Sequence, residues 1–445
     1  MTGEQAEEQA DAARARRLTW FTARWNLSPA VAAAVVVGVV CAAAGFFASR
    51  VDLALVGIPL LVSAAIAWDR RPGEQARVGV SARVDAAGGA RLTSTVEATS
   101  DAGADAVELR ISLRGQPPID AVVSRRRAER LTGTLTAGHS GPQRLVSVET
   151  RMIGADAAIV TEPTPPVTAE RVVAPRVRAV RSLPLPSRLI GLTGPHDSAR
   201  PGDGGEFRDV GLFAAGDRLR RIDWKATARR AQTPGELYVR RTMATSDAAI
   251  QFVIDSRDDL TGRVADWAAA YPRPGIGSQD LAREAAASLA SAYAAAGDRV
   301  GFDDLADARR GIPPRSGSRH LQRVLRAVAQ TGPRGIATER VRAPVLAPGA
   351  LVFVLSTFLD EQALGLALVW RAAGHRVIAV DTLPDRLTSD LTPRDRVALR
   401  VVELERTLRF RRLAAGGIDV MRWQDEAGDT RGARLRELSM PRRPR

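Results

Sequence analysis

The chain has 445 residues, and its 64 lysines and arginines against 50 aspartates and glutamates give a formal net charge of +14. Only one of these cations is a lysine, Lys225, and no glycine-rich run precedes it, which excludes a P-loop. Cys41 is the single cysteine, which excludes an internal disulfide and a thiolate metal cluster. The sequence also lacks zinc-protease histidine spacing and a G-x-S-x-G nucleophile elbow. Its length predicts about two or three domains.

Two apolar stretches follow an N-terminal arm of residues 1–26. Leu27 to Ala48 carries no charge and Val51 to Trp68 carries only Asp52, so each is apolar and long enough to cross a bilayer as a helix. The short connection predicts a transmembrane hairpin over 27–70. Arginines on both flanks place both ends in the cytoplasm by the positive-inside rule. Aromatic residues suit the membrane interface, namely Trp20, Phe21, Trp25 and Trp68. The alternative is a cleaved signal peptide.

Residues 76–172 contain several short segments in which apolar and polar residues alternate, most clearly from Val107 to Leu113. Short alternating strands at this spacing predict a small β-sandwich. The next stretch, 173–247, is rich in proline and glycine in its first half, which is typical of a partly extended linker.

Apolar strands alternate with helical segments over 248–425. The predicted strands are 248–255, 299–302, 350–356, 376–381 and 419–422. This alternation predicts an α/β domain with a doubly wound parallel sheet and helices on both faces. Ligands of such sheets bind at the carboxyl ends of the strands. Asp255 and Ser256 follow the first strand and therefore lie where a site is expected.

The most distinctive segment covers 216–229 and reads Gly-Asp-Arg-Leu-Arg-Arg-Ile-Asp-Trp-Lys-Ala-Thr-Ala-Arg. Nine cations against five acids lie in the surrounding residues 206–241. Because every other cation of the chain is an arginine, Lys225 is predicted to fill a place that suits a compact point charge. The structural alternative is an internal ion pair of Lys225 with Asp217 or Asp223.

This segment resembles the signature of the bacterial "domain of unknown function 58" family, in its Gly-Asp, Ile-Asp-Trp-Lys and Ala-Arg steps. The family's order of parts matches the order predicted here: a transmembrane pair, a β-rich segment, the signature, and then a von Willebrand factor A-like (Rossmann-like) α/β domain. The resemblance implies a MoxR-type AAA+ ATPase as partner and no established enzymatic activity. We expect six residues of the signature to dock the partner or to brace the domain against the β-sandwich, since tryptophan and arginine are favoured interface anchors. They are Asp217, Arg220, Asp223, Trp224, Lys225 and Arg229.

The resemblance also raises the question of a metal site, because von Willebrand factor A domains commonly bind Mg²⁺ through Asp-x-Ser-x-Ser after the first strand. Here Asp255 is retained, Arg257 and Asp259 take the two serine places, and Thr357 stands where the family usually has aspartate. A guanidinium at a ligand position opposes a cation. We therefore expect a degenerate site without metal or other cofactor, in which Arg257 pairs with Asp255 or Asp259. The alternative is that Asp255 caps the segment after it.

Three functions remain open at this stage. The favoured one is a scaffold, anchored in the plasma membrane and mainly cytoplasmic, that docks the ATPase and an unidentified client. The second is purely structural: the signature braces the α/β domain against the β-sandwich. The third is a membrane-bound hydrolase or transferase with an Asp/Ser site near Asp255. The basic tail 426–445 suits anionic lipid headgroups, whereas the sequence shows no motif for specific nucleic-acid recognition.

Overall fold

The computed structural model describes residues 18–69, 75–88, 91–100, 104–113, 117–124, 130–155, 157–189, 194–267, 275–333, 340, 342–424 and 430–440. The predicted N-terminal arm lies outside the described residues as far as residue 17, and the predicted basic tail does so at 426–429 and 441–445. The chain divides into two compact units. Unit 1 contains residues 1–137 and 143–171, and unit 2 contains residues 138–142 and 172–445.

Unit 1 begins with two apolar helices, α1 (Pro29–Phe47) and α2 (Val51–Asp69), which lie close to the predicted spans. Both are long and apolar enough to cross a membrane. Helix α1 starts where the Ser28 hydroxyl accepts a hydrogen bond from the backbone N–H of Val31 at 3.4 Å. The two helices approach closely, because a Cβ atom added to Gly57 would lie 2.5 Å from the carbonyl oxygen of Gly38.

The alternating segments predicted over 76–172 form strands in unit 1, together with four strands that were not predicted, β1, β5, β8 and β9 in the following list. They are β1 (Thr19–Leu27), β2 (Gln75–Gly88), β3 (Arg91–Ser100), β4 (Ala106–Leu113), β5 (Ile119–Ser124), β6 (Arg130–Thr136), β7 (Gly141–Gly154), β8 (Ile159–Thr161) and β9 (Val167–Val173). In the described residues they form one nine-stranded sheet in the order β5-β4-β7-β8-β1-β2-β3-β6, with β9 paired to β7.

Strand β1 differs from the predicted arm and interfacial aromatic belt. Its residues 19–24 pair with β2 and its residues 25–27 pair with β8, so β1 joins the two halves of the sheet. Trp25 is buried, whereas Trp20 remains partly exposed. Aromatic residues favour strands as well as membrane interfaces. Whether such a segment lies in a sheet or at a membrane interface depends on pairing with strands that are distant in sequence. A local sequence pattern does not show this pairing.

The predicted linker, 173–247, is also more ordered than its composition indicates. Pro184 is buried, and its carbonyl oxygen accepts a hydrogen bond from the Tyr293 hydroxyl at 2.5 Å. Farther along, β10 (His196–Leu212) and β11 (Tyr238–Ser246) pair antiparallel as a two-stranded ribbon with three register shifts. Proline and glycine are thus accommodated at irregularities of the ribbon. The short helix α3 (Trp224–Arg230) lies between the two strands in sequence.

The rest of unit 2 is built on a six-stranded sheet whose strands are β12 (Ala249–Ile254), β13 (Arg299–Asp304), β14 (Asp307–Arg315), β15 (Leu351–Ser356), β16 (Arg376–Asp381) and β17 (Asp419–Arg422). Their order is β14-β13-β12-β15-β16-β17. Neighbouring strands are parallel except at the β13–β14 pair. The predicted alternation of parallel strands with helices is present, but the sheet is mixed instead of wholly parallel, because β14 is antiparallel. Strand β14 was missed because it contains Pro313 and Pro314, which are tolerated at its edge position.

Helices cover both faces of this sheet, namely α4 (Ser278–Ala295), α5 (Ser318–Ala329), α6 (Gln362–Ala372), α7 (Pro393–Ala415) and α8 (Thr430–Ser439). Phe252 packs in a core with α4, α5 and α8, while its neighbour Val253 packs in a second core with α6 and α7. Successive strand residues point to opposite faces, which accounts for the two cores. Leu435 and Leu438 of α8 are buried in the first core. Over 430–439 the predicted basic tail is therefore a packed helix.

Candidate functional site

Polar side chains gather at the carboxyl edge of the six-stranded sheet, where a doubly wound fold is expected to place a site. Asp255 follows β12, Thr357 follows β15 and Asp381 ends β16, and all three are buried. The buried Arg406 donates to the carbonyl oxygen of Thr357 at 2.8 Å and pairs with Asp381. We define the sheet-edge cluster as Asp255, Arg257, Asp258, Thr357, Asp360, Asp381 and Arg406.

Arg257 occupies the position at which the sequence predicts a replacement for a metal ion. Its Nε and Nη2 donate to the two carboxylate oxygens of Asp255, each at 2.8 Å, and Nη2 also donates to Asp360 at 2.9 Å. The Arg257 side chain is only 7% exposed. Burial lowers the pKa of Arg257, but its hydrogen bonds to Asp255 and Asp360 outweigh this effect, so the pKa is raised. The predicted Arg257–Asp255 pair is confirmed.

The sheet-edge cluster does not fit a divalent cation. Both oxygens of Asp255 accept hydrogen bonds from Arg257, and Oδ2 also accepts one from Ser356 at 2.8 Å. The Thr357 hydroxyl donates to Asp258 at 3.0 Å. Asp259 does not pair with Arg257 in the described structure but accepts a hydrogen bond from the backbone N–H of residue 279. Both oxygens of Asp255, the retained ligand position, are thus engaged, and the fixed positive charge of Arg257 lies beside them.

Asp258 is a buried carboxylate of this cluster whose pKa is raised. Its Oδ2 accepts the hydrogen bond from Thr357, whereas its buried Oδ1 has no hydrogen-bond partner among the described residues. Burial, and then the nearby charge of Asp255, raise the pKa of Asp258 to about 6. Asp258 therefore takes up a proton at mildly acidic pH.

Ser256 is enclosed, which argues against the predicted alternative of an Asp/Ser catalytic site near Asp255. Ser256 is fully buried, and its hydroxyl donates to Asp304 at 2.5 Å. His320 and His375 lie within hydrogen-bonding distance of backbone carbonyl oxygens, at 2.8 and 3.1 Å. A nucleophile has to reach its substrate, and the Ser256 side chain is not exposed to solvent.

Two acidic residues of the predicted docking set shape the backbone of the signature. Asp223 caps α3, because its carboxylate accepts a hydrogen bond from the backbone N–H of Ala226 at 2.9 Å. Asp217 closes the preceding turn: it accepts from the backbone N–H of Ala214 at 2.9 Å and pairs with Arg241 at 3.1 Å. These contacts hold the pKa of Asp217 below its ordinary value. Both carboxylates thus have local structural roles.

The other four predicted docking residues are exposed, and we call them the signature surface: Arg220, Trp224, Lys225 and Arg229. Trp224 lies in the first turn of α3 and is 68% exposed, which is unusual for so large an apolar side chain. Within the described part of the chain Lys225 forms no salt bridge, so its predicted pairing with Asp217 or Asp223 is absent there. The signature surface is an exposed indole accompanied by three cations.

Another basic feature of unit 2, which the sequence did not reveal, lies on the β10–β11 ribbon. The ribbon and the turn at 214–217 enclose a cavity of about 360 Å³. The strand register places Arg241 opposite Asp209 and Arg240 opposite Val210. We call the arginines that line the cavity the arginine pocket: Arg208, Arg218, Arg221, Arg240 and Arg241. The excess of cations over 206–241 indicated a basic region, but only the strand pairing brings these five side chains together.

Comparison with known protein families agrees with this arrangement. Residues 209–416 match the family model described as "Protein of unknown function DUF58". This segment is thus similar to the DUF58 family. The resemblance predicted from the signature is thereby confirmed. The DUF58 segment begins within β10 and ends just after α7, so it includes the signature surface, four of the five pocket arginines and most of the six-stranded sheet.

The chain is also similar to curated mycobacterial proteins. "Uncharacterized protein Rv1480" of Mycobacterium tuberculosis and "Uncharacterized protein Mb1516" of Mycobacterium bovis are each 30% identical to it over 220 residues. These matches cover 47% of this chain and 65% of each relative. The chain thus spans less than two thirds of the length of these relatives.

Proposed function

We propose that this chain is a membrane-anchored scaffold whose signature surface docks a partner ATPase. The observation that carries the proposal is the exposure of Trp224 on a helix whose start is fixed by the Asp223 cap. Tryptophan and arginine are the residue types that most often dominate binding at protein interfaces. Exposing an indole to water is unfavourable in the free protein, and a partner that covers it recovers this free energy.

The fold of unit 2 supports the same proposal. A parallel sheet with one antiparallel edge strand, covered by helices on both faces, is what the family resemblance implies for a von Willebrand factor A-like domain. Arg257 closes the place where such domains commonly bind a metal ion. We therefore assign binding to the signature surface, and we propose a scaffold without a metal cofactor or catalytic centre.

Helices α1 and α2 support the membrane anchor, because both have the length and composition of membrane-spanning helices. We propose that they form a hairpin in the plasma membrane, with the N-terminus and the large C-terminal part of the chain on the cytoplasmic side. Anionic lipids are proposed as further contacts of the basic chain. The proposed partner, a MoxR-type AAA+ ATPase, rests on the family resemblance, and the client protein is left open.

A pull-down from solubilised membranes tests the docking role. We expect Trp224→Ala and Lys225→Glu to lose the co-purifying ATPase while their melting temperatures stay unchanged, because both side chains are exposed. Arg230→Glu, a charge reversal on the same helix outside the signature surface, and Leu387→Ala, which truncates another exposed apolar side chain, are the matched controls.

The same measurements separate docking from a structural role of the signature. A large fall in the melting temperature of Lys225→Glu, with partner binding lost only in proportion to folded protein, would show that the segment braces the fold. Retention of the ATPase by both signature variants would remove the docking proposal.

A further inference from the structure

Helix α7 has apolar side chains on two opposite faces. One face is turned toward the sheet and carries three buried residues at intervals of seven, namely Leu399, Arg406 and Leu413. The opposite face carries four apolar side chains, each more than half exposed, which we call the helix seam: Val397, Val401, Leu404 and Leu408. A surface helix normally keeps its apolar residues on the side of the core, and a contiguous apolar surface elsewhere indicates a contact site.

The helix seam has the spacing of a coiled coil. Its residues follow one another at intervals of four, three and four, which is the alternation of positions a and d in a heptad repeat. Val401 and Leu408 take position a, and Val397 and Leu404 take position d. Such a stripe is narrow, as in helix pairing, whereas a helix that lies in a membrane interface has a broad apolar face. Glu405, beside the seam, would also lose its hydration in a membrane.

Helix α7 is already folded without a partner helix. The hydroxyl of Thr392 accepts a hydrogen bond from the backbone N–H of Asp395 at 3.2 Å, which caps the start of the helix. Phe410 and Leu413 pack against one of the two cores of the sheet. Pairing through the seam therefore does not have to form a helix, and helix formation is the step that limits short coiled coils.

The charged residues beside the seam determine which partner and which orientation fit. Arg400 lies at position g, and Glu405 lies at position e of the next heptad. In two parallel helices, position g of one lies beside position e of the following heptad of the other. Two parallel copies of α7 in register therefore bring Arg400 of each beside Glu405 of the other. In an antiparallel pair Arg400 would face Thr407 and gain no opposite charge.

Both charges can take part in such a pair, because both side chains are exposed. Within the part of the chain that the structure describes, Arg400 forms no salt bridge or hydrogen bond through its side chain. Glu405 accepts a hydrogen bond from Arg409 at 3.3 Å through Oε2, an exposed contact within one helix that contributes little. Arg409 also pairs with Glu361 at 3.1 Å, so its charge is shared between two carboxylates.

We infer that the helix seam binds the same seam of a second copy of this chain, as a parallel two-stranded coiled coil of four apolar layers. Arg394 and Arg411 occupy the next a and d positions and end the seam, because like charges would oppose one another there. This inference does not rest on docking of an ATPase: the helix seam and the signature surface share no residue.

Disulfide cross-linking tests the register of the two helices. Cys41 is the single cysteine, so in a Cys41→Ala background a cysteine placed in α7 reports on its own position. We expect mild oxidation of the full-length chain in detergent micelles to give covalent dimers of Val401→Cys and of Leu404→Cys, since parallel helices bring identical a or d positions within disulfide range. Arg396→Cys, exposed on the same helix outside the seam, is the matched control and is expected to stay monomeric.

Sedimentation velocity of the full-length chain at micromolar concentration measures the strength of pairing. We expect a monomer–dimer equilibrium that Leu404→Glu weakens about tenfold or more, because this change places uncompensated charges in the seam. Leu387→Glu alters an exposed apolar residue outside the seam and is expected to stay within about twofold of the unmodified chain.

Exchange of the two flanking charges tests their pairing. We expect Arg400→Glu alone to weaken the dimer about tenfold, because like charges then lie side by side. Adding Glu405→Arg to the same chain restores opposite charges and is expected to restore the dimer.

Three results would overturn the inference. A chain that stays monomeric without cross-links has no such contact, and a dimer that Leu404→Glu leaves intact associates elsewhere. Cross-linking of Val401→Cys chains to Leu404→Cys chains, with neither linked to itself, would show antiparallel pairing.

Two other occupants of the seam give results of their own, and each would also overturn the inference. Quenching of a fluorophore on the Leu404→Cys chain by spin-labelled lipids, with the chain monomeric, would assign the seam to the membrane surface. Loss of the co-purifying ATPase by Leu404→Glu, with association unchanged, would assign it to the ATPase. We expect Leu404→Glu to retain the ATPase, which keeps this inference separate from the docking proposal.

Discussion

The sheet-edge cluster and the signature region, by which we mean residues 206–241, use arginine in opposite ways. At the sheet edge Arg257 and Arg406 are buried, and each is hydrogen-bonded to a carboxylate that ends or follows a strand. In the signature region the arginine pocket brings five arginines to one cavity, where Arg241 pairs with Asp217 and Arg208 with Asp209, and the signature surface adds three exposed cations. A matched, buried charge belongs to the fold, whereas the exposed cations of the signature surface can contact a partner.

The comparison supports our proposal that one residue type replaces a cofactor. Metal ions neutralise the carboxylates that bind them. In this proposal Arg257 supplies the neutralising charge as part of the chain, through its hydrogen bonds to Asp255 and Asp360. A guanidinium differs from a metal ion in one respect: it has no open coordination position for a ligand. On this account the carboxyl edge, where doubly wound sheets usually bind ligands, offers no ligand position in this chain. The exposed basic side chains of the signature region lie on the ribbon, on α3 and between them.

The largest expected effect comes from breaking the matched region. Arg257→Ser removes the partner of the buried Asp255, and we expect the free energy of unfolding to fall by about 3 kcal/mol, because an uncompensated charge then remains buried. Chemical denaturation of the full-length chain measures the change. Arg220→Ser, in the signature surface, is the control and is expected to change stability by less than about 0.5 kcal/mol.

Addition of Mg²⁺ provides a second test of the Arg257–Asp255 pair. We expect millimolar Mg²⁺ to leave the melting temperature of the unmodified chain unchanged, because Arg257 already engages both oxygens of Asp255. Micromolar Mg²⁺ binding that disappears in Asp255→Ala would contradict our account of the cluster, as would a loss of less than about 1 kcal/mol in Arg257→Ser.

An intermediate effect is expected from pH. The pKa of Asp258 is about 6 in the folded chain, so between its ordinary value and about 6 the folded state binds a proton that the unfolded state has released. Stability contributed by this group is therefore greatest at low pH and declines as pH rises through this interval. We expect Asp258→Asn to flatten the stability profile from about pH 5 to about pH 7 by roughly 1–2 kcal/mol.

Other carboxylates have to be separated from Asp258 in that measurement. Burial raises the pKa of Asp259 and of Asp303 as well, so the unmodified chain is expected to show the same sign of pH dependence from more than one group. Only the difference between Asp258→Asn and the unmodified chain reports on Asp258. An unchanged profile in the variant would place the proton uptake elsewhere.

The smallest expected effect is in the signature region. Asp223→Ala removes the cap of α3, and we expect a loss of about 1 kcal/mol in stability. Because this cap positions Trp224, partner binding is expected to weaken more than stability does. Asp223→Asn, which keeps an acceptor at the capping position, is expected to restore both. Full partner binding by Asp223→Ala would mean that the orientation of α3 does not matter for docking.

Features with a local sequence pattern could be predicted. Three kinds of element are at the expected places: the two apolar helices, the alternating strands of unit 1, and the buried strands β12, β15 and β16. In each of them the environment of the side chains determines the spacing of apolar residues along the sequence, so the pattern can be recognised locally. The Arg257–Asp255 pair was predictable for a similar reason: the two residues are close in sequence and directly follow a strand.

Features that depend on pairing with distant segments could not be predicted. From sequence alone β1 has the composition of an interfacial aromatic belt, and only its pairing with β2 and β8 identifies it as a strand. In the same way α8 has the composition of a basic tail, and only the burial of Leu435 and Leu438 identifies it as a packed helix. The arginine pocket is the strongest case. Arg208 and Arg240 are far apart in sequence, and only the register of the ribbon brings them to the same cavity.

The junction of β1 and α1 has a mechanical consequence. A single residue, Ser28, separates the end of the strand from the start of the helix, and its backbone N–H is itself bonded to the carbonyl oxygen of Ala158 at 2.9 Å. Because no flexible segment separates them, a displacement of α1 reaches β1 and, through the hydrogen bonds of β1, both β2 and β8. The position of the apolar helix and that of the sheet are therefore coupled at this junction.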